Sequence, residues 1–169
     1  MKRKSKRIPV FLSEEEFFKI LNSTNNKRHK LAFSLGFFAG LRVSEVANLK
    51  PENIDFNLNW IHIKRGKGDK DRNVPLPKHL KTKLKKLLPL GCGVRALQIA
   101  FKKALKKSGV NKDAHFHTLR HSCATTLLQK GHSLVDVQRI LGHSRIDTTG
   151  IYLHVNPTDL QEKFNKAWE

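Results

Sequence analysis

Ile54-Asp55-Phe56-Asn57-Leu58-Asn59-Trp60-Ile61-His62-Ile63, then Gly66-Lys67-Gly68-Asp69-Lys70, then Arg72-Asn73-Val74-Pro75-Leu76 is the stretch in which the apolar period of this chain leaves that of a helix. β-Branched and aromatic residues gather here in three short runs. The turn formers Asn57 and Asn59 separate the first two, and the glycine-flanked turn at residues 66–70 separates the last two. The stretch therefore predicts a small three-stranded antiparallel sheet. On both sides of it the period is helical, so the expected architecture is mainly α with this one sheet.

Upstream, residues 1–10 form a basic tail and residues 11–169 one domain. Ser13-Glu14-Glu15-Glu16 is a capping box, and Phe17, Phe18 and Leu21 give the helix it opens an apolar face. Residues 27–39 are apolar nearly all round (Leu31, Phe33, Leu35, Phe37, Phe38), which predicts a buried core helix. Gly40 ends it, and Val43, Val46, Ala47 and Leu49 mark a short helix before Pro51. Downstream, Pro77 suits a first helical turn, with Leu80, Leu84, Leu87 and Leu88 on one face. Val94, Leu97, Phe101, Ala104 and Leu105 form the next stripe, closed by Gly109. Residues 119–130 predict a helix stopped by Gly131; Ser133 caps another that Gly142 ends. A short helix is expected to carry Tyr152, and residues 160–168 a last one beyond Pro157.

Charge narrows the function. Thirty-three Lys and Arg against fourteen Asp and Glu leave a formal +19, which on a folded domain implies a polyanionic partner. Nucleic acid is the leading candidate and an anionic membrane the second. No apolar run approaches the roughly 20 residues that span a bilayer. The start, Met1-Lys2-Arg3-Lys4-Ser5-Lys6-Arg7, has no apolar region behind it and is not a signal peptide. Ten Phe, two Trp and 38% apolar residues exclude a disordered chain. Cys92 and Cys123 sit in no metal or CxxC spacing, as expected of reduced thiols in a cytoplasmic protein.

Several residues carry possible chemistry, and each has a plainer reading. Arg42, in Ala39-Gly40-Leu41-Arg42-Val43-Ser44-Glu45, stands at the start of a short helix, where a guanidinium suits a phosphate; a surface Arg paired with Glu45 is the equal alternative. His117 and Arg120 are three apart and share a helical face, a pairing able to move a proton and neutralise a phosphoryl oxygen, yet a lone HxxR is more often structural. Gly142-His143 closes the following helix, and Tyr152, the only tyrosine, comes nine residues later. A single helical Tyr is usually a half-buried packing residue. His115 with His117 has no third ligand at a spacing that suits a metal. Order changes these odds: Arg, hairpin Lys, His-x-x-Arg, Gly-His, Tyr is a long pattern that chance rarely supplies whole.

With Ala39 to Val46, Gly66 to Pro75, His117-Thr118-Leu119-Arg120-His121, Leu141-Gly142-His143-Ser144 and Thr148-Thr149-Gly150-Ile151-Tyr152-Leu153-His154, the chain resembles the catalytic domain of the tyrosine recombinases. That family includes phage integrases, the Xer recombinases and Cre. The resemblance covers nearly everything from Phe11 to Leu160 and implies the DNA breaking-rejoining enzyme fold. It assigns Tyr152 as the nucleophile that forms a 3′-phosphotyrosine, and Arg42 and Arg120 as holders of the non-bridging oxygens. Lys67 would protonate the departing 5′-oxygen, His117 accept the tyrosine proton, and His143 hydrogen-bond the phosphate. Glu45 would orient the site from behind. No metal, ATP or other cofactor is implied. A homo-oligomer, a tetramer on double-stranded DNA, is expected through the C-terminal tail, with Phe164 and Trp168 as anchors onto a neighbour or, equally, onto their own core. The family's N-terminal core-binding domain has no counterpart in these residues, so weak affinity and poor site selectivity are expected of them alone. A prokaryotic or viral origin and a nucleoid association through DNA are implied as well.

The physical chemistry is consistent with these roles. A phenol is only about one part in a thousand ionised at pH 7, so a nucleophilic Tyr needs cations or a base beside it. Residues 64–86 hold ten Lys or Arg against Asp69 and Asp71, and Lys102, Lys103, Lys106 and Lys107 add a second patch. Such runs are by default solvated faces. Here Lys64, Arg65, Lys70, Arg72, Lys102 and Lys103 are expected to contact the DNA backbone. A non-catalytic helix-turn-helix module and a type IB topoisomerase are the rival readings; the first leaves the Arg, Lys, His and Tyr set unexplained, and Gly-His-Ser with Thr-Thr-Gly-Ile-Tyr disfavours the second.

Overall fold

The computed structural model describes residues 10–64, 71–142 and 157–169. Ser13 opens α1 (Glu14–Asn22) with the reciprocal cap expected of it: its Oγ accepts from the Glu16 amide at 3.2 Å, and Glu16 Oε2 accepts from Ser13 N at 2.8 Å. Phe17 of α1 stacks on Phe37 of α2 (Lys27–Phe38), ring centroids 4.1 Å apart. As its all-round apolarity predicts, α2 is buried throughout residues 31–38 and forms the centre of the core. Against it lies α6 (Phe116–Gln129). Gly36 permits this close approach, because a Cβ there would stand 3.1 Å from Leu119 Cβ. The chain leaves α2 through Gly40 at φ +63, a left-handed turn that favours glycine, and enters α3 (Val43–Ala47).

The sheet is antiparallel, in the order β1 (Ile54–Asp55), β2 (Trp60–Ile63), β3 (Arg72–Pro75). Alternation does the sorting: Ile61 and Ile63 of β2 and Val74 of β3 enter the core, while His62 and Asn73 pair across the outer face at 2.7 Å. β1 is shorter than its apolar run suggests. Asp55 Oδ1 takes the amides of Asn57 and Leu58 at 2.9 and 2.8 Å, and this Asx turn ends the strand before Phe56. A 3₁₀ turn (Lys78–Leu80) leads from the sheet into α4 (Lys81–Leu87), with Leu80 and Leu84 buried.

α5 (Val94–Ser108) buries Leu97, Phe101 and Ala104, and Gly109 ends it at φ +74. Phe101 meets Phe33 edge-on at 5.3 Å. α6 begins at Phe116, three residues before the expected start, because Thr118 Oγ1 accepts from His115 N at 2.9 Å and caps the first turn. α7 (Leu134–Leu141) has the expected Ser133 cap, with Oγ 3.1 Å from the Asp136 amide, and ends at Gly142 with φ +67. α8 (Pro157–Lys166) starts at Pro157 rather than beyond it, in keeping with the preference of proline for a first helical position. Its far end folds back onto this domain. Phe164 is fully buried, and Trp168 stands edge-on to Phe38 at 4.8 Å. The ammonium of Lys130 holds Glu14 Oε1 at 2.8 Å, caps Ala167 O and lies 5.0 Å over the Trp168 ring.

Candidate active site

Arg120 is the centre of the site. It points from α6 into the interior, only 2% exposed. Its Nη1 donates to Gly40 O at 2.6 Å and its Nη2 donates to Leu141 O. One guanidinium thus ties the turn between α2 and α3 to the end of α7. Gly40 sits so close to Leu141 that a Cβ at Gly40 would fall 2.2 Å from Leu141 Cδ2. Burial, followed by the charges of Arg42 and Arg72, pulls the Arg120 pKa down to about 10, so the group stays a cation at neutral pH. Burial also pushes the neighbouring Cys123 thiol up to about 12, against a smaller opposing pull from Arg120; the residue is an inert core thiol.

Arg42 stands two residues after Gly40 at the N-cap position of α3, so the anchor of Arg120 on Gly40 O lies two residues from the other arginine expected to hold phosphate. Glu45 takes Arg42 N at 2.7 Å and Arg42 Nη1 at 3.1 Å. The start of this short helix therefore already has its anion, supplied by its own chain. Arg42 is paired with Glu45, the plainer of its two readings, and the same side chain lines an open cleft of about 740 Å³ with Glu45, Asn48, His62 and Lys64. Burial alone would raise the Glu45 carboxyl, but hydrogen bonds from Arg72 and the Arg42 amide, with both positive charges, hold it at about 2. Glu45 is a permanent anion at any working pH.

Arg72 requires a correction. Expected on the DNA backbone, it is instead turned inward, its side chain 7% exposed and bonded to both Glu45 oxygens. Both of its terminal nitrogens are engaged by that carboxylate in a two-pronged pairing. Lys64, by contrast, is exposed at the end of β2 and lines the cleft beside Arg42.

His117 and Arg120 leave α6 differently, although they are three residues apart: Arg120 enters the core and His117 is exposed. The His117 ring meets His121 edge-on at 4.6 Å. It also lines a second cleft, about 410 Å³, with Val43, Arg95, Gln98, Ile99 and Lys102. Lys102 and the adjacent Lys103 are exposed on α5. Arg95 and Gln98 were not foreseen as site residues. The signal was available: Arg95, Gln98, Ile99 and Lys102 repeat at three, four and seven residues and must share the helix face that α5 turns away from its buried stripe. Lys67, His143 and Tyr152, with Arg65 and Lys70, lie outside the described residues.

Among the described residues no group of three or more His, Cys, Asp and Glu side chains is placed to hold a metal ion, and no helix is long and apolar enough to cross a membrane. Chemically, the arrangement offers one guanidinium, Arg42, in an open cleft, a second, Arg120, buried behind the same turn, a solvent-facing imidazole on the helix that supplies Arg120, and cations along both clefts. That set suits a phosphodiester more than any neutral substrate.

Comparison with known proteins agrees. A family model described as the phage integrase family matches residues 10–91 and 92–159. A tyrosine recombinase of Thermosipho africanus is 40% identical, over 95% of this chain and 61% of its own length. Tyrosine recombinase XerA of Pyrococcus horikoshii is 34% identical, over 96% of this chain and 62% of its own. Among solved structures, the integrase from mycobacterium phage Brujita superposes with a TM-score of 0.82 at 25% identity, covering 98% of this chain and 60% of that one. The chain thus spans about 60% of the length of the relatives it matches.

Proposed function

The chain belongs to the phage integrase family, and on that premise we propose that it is a site-specific DNA recombinase that cuts and rejoins strands through Tyr152. The phenolic oxygen attacks a scissile phosphorus, His117 takes the phenolic proton, and the bond to the 5′-oxygen breaks as Lys67 delivers a proton to it. The product is a 3′-phosphotyrosine and a free 5′-hydroxyl, and attack by another 5′-hydroxyl reverses the step. Arg42 and Arg120 neutralise the non-bridging oxygens, and His143 hydrogen-bonds one of them. The phosphotyrosine keeps the energy of the phosphodiester, so rejoining requires neither ATP nor a cofactor.

One observation carries this reading: Arg120 is anchored to Gly40 O, two residues from Arg42, while His117 faces solvent from the same helix. The anchor brings the positive charge of Arg120 to the turn that carries Arg42, beside a solvent-facing imidazole, which supports phosphoryl chemistry over binding alone. Double-stranded DNA is the substrate, reached through Lys64, Lys102 and Lys103 and, outside the described residues, Arg65 and Lys70. If six phosphates are neutralised, log K falls with log[salt] at a slope of roughly −5. A tetramer on DNA assembles by exchange of the C-terminal tail: the socket that α8 fills in its own domain, around Phe37 and Phe38, accepts the same segment of a neighbour. The setting is the cytoplasm, on nucleoid or phage DNA.

The test is covalent capture. The protein is incubated with nicked duplexes carrying a randomised core, and complexes that survive a denaturing gel are sequenced. The expected result is a covalent band that forms in EDTA without ATP and disappears in Tyr152→Phe. No band from any sequence leaves only a DNA-binding role. Strand exchange between two captured duplexes distinguishes a recombinase from a topoisomerase.

A further inference from the structure

Arg72 comes from β3, not from either helix that supplies the phosphate-holding arginines, yet it touches both ends of the site. Its Nη1 lies 2.6 Å from Glu45 Oε1 and its Nη2 lies 2.8 Å from Oε2, a two-pronged pairing that fixes the plane of the carboxylate. The same carboxylate receives Arg42 N and Nη1. The third donor, Nε, reaches Ile140 O at 3.2 Å, and the next carbonyl along, Leu141 O, is the one Arg120 holds. Two guanidiniums arriving from different elements thus close the last turn of α7 immediately before Gly142 and His143. Cations at a helix C-terminus meet the negative end of its dipole, so both contacts are favourable as well as specific.

We propose that Arg72 is a positioning residue of the cleavage site. Through Glu45 it sets the rotamer of Arg42, and through Ile140 O it fixes the end of α7 beside the carbonyl that Arg120 holds. The inference rests on the recombinase reading and adds a residue to it. Lysine cannot replace Arg72, because a single ammonium cannot span both carboxylate oxygens and a backbone carbonyl in one plane. The contact is also inaccessible to DNA, so the loss should appear in the rate and not in binding.

The experiment uses a nicked duplex recovered by wild-type capture. Single-turnover covalent-complex formation at saturating DNA and the DNA Kd across salt are measured for wild type, R72K, E45Q and the double variant, each checked for a cooperative thermal transition. R72K is expected to slow cleavage about 10–100-fold, as a small misplacement of reacting groups does. Its Kd should stay within about twofold of wild type, with the salt slope unchanged. E45Q should slow cleavage similarly, and R72K should add less than about twofold in the E45Q background, because the two act as a unit. If R72K does not fold, R72Q is read against E45Q in the same way. Cleavage by R72K within about twofold of wild type overturns the inference, and so does a pair of losses that multiply. A weaker Kd with a slope shallower by about one and an unchanged rate would return Arg72 to the DNA backbone. Wild type that forms no Tyr152-dependent complex defeats the recombinase reading itself, a different result from any of these.

Discussion

The cations around the clefts fall into two regions governed by different physics. On the inner side, Arg72 and Arg120 are nearly sealed from solvent, and their donors end on Glu45, Gly40 O, Ile140 O and Leu141 O. On the outer side, Lys64, Arg95, Lys102 and Lys103 stand in water. A buried charge survives only where its partners are placed for it, so each inner arginine is tied to a particular geometry. An exposed lysine is held by nothing but its own stem and interacts with a polyanion through number and spread. The inner region should therefore set rate and stability together, and the outer region affinity alone.

The sharpest way to break this contrast is Arg120→Ala. Two buried carbonyls lose a charged donor, and about 3–5 kcal/mol of unfolding free energy should go with it, together with all covalent-complex formation; urea unfolding and a denaturing gel read the two losses. A cost below about 1 kcal/mol would mean that the inner region is not built around this side chain.

Glu45→Gln probes the same network by pH. The carboxyl has its ordinary value of 4.5 in the unfolded chain and about 2 in the folded one, so its contribution is fully present above about 4.5 and lost as pH falls toward 2. Wild type should shed on the order of 3 kcal/mol over that window; the Gln variant, already weaker at pH 7, should show a flatter acid limb in thermal melts between pH 2 and 6. Equal acid limbs would show that the ion network contributes nothing to folding.

Gly40→Ala combines a backbone strained at φ +63 with a Cβ driven into Leu141. The expected loss is about 2–3 kcal/mol, read as a lower thermal midpoint, and cleavage should slow in step, because Gly40 O is one of the two anchors of Arg120. A normal midpoint would show that the turn relaxes freely.

The outer region gives the smallest effect. Lys102→Gln with Lys103→Gln should leave stability within about 0.5 kcal/mol and make the slope of log K against log[salt] shallower by about two. A large stability change here would erase the distinction between the regions.

Much of the frame was legible because its causes are local. The Ser13 and Ser133 caps, the Gly109 and Gly142 stops and the alternation of β2 each depend on residues within four positions of one another. Two of the boundaries that differ share a source. Thr118 accepts from His115 N and so starts α6 early, and Asp55 cuts β1 short by an Asx turn. In both cases a polar side chain outranked the hydrophobic pattern used to set the boundary.

Order and chemistry of the motifs, net charge, the mainly helical class and the place of the sheet belong to the linear sequence, since each is written in residue identity or in a short period. Which arginines turn inward does not. Arg72 finds Glu45 across 27 residues and Ile140 across 68, and Arg120 finds Gly40 across 80. Such partners meet only once the helices pack, and a guanidinium in a basic run looks the same in sequence whether it will face DNA or a carboxylate. Tertiary packing likewise decides where Phe164 and Trp168 rest within one chain, against the aromatic surface of α2 that lies within their reach.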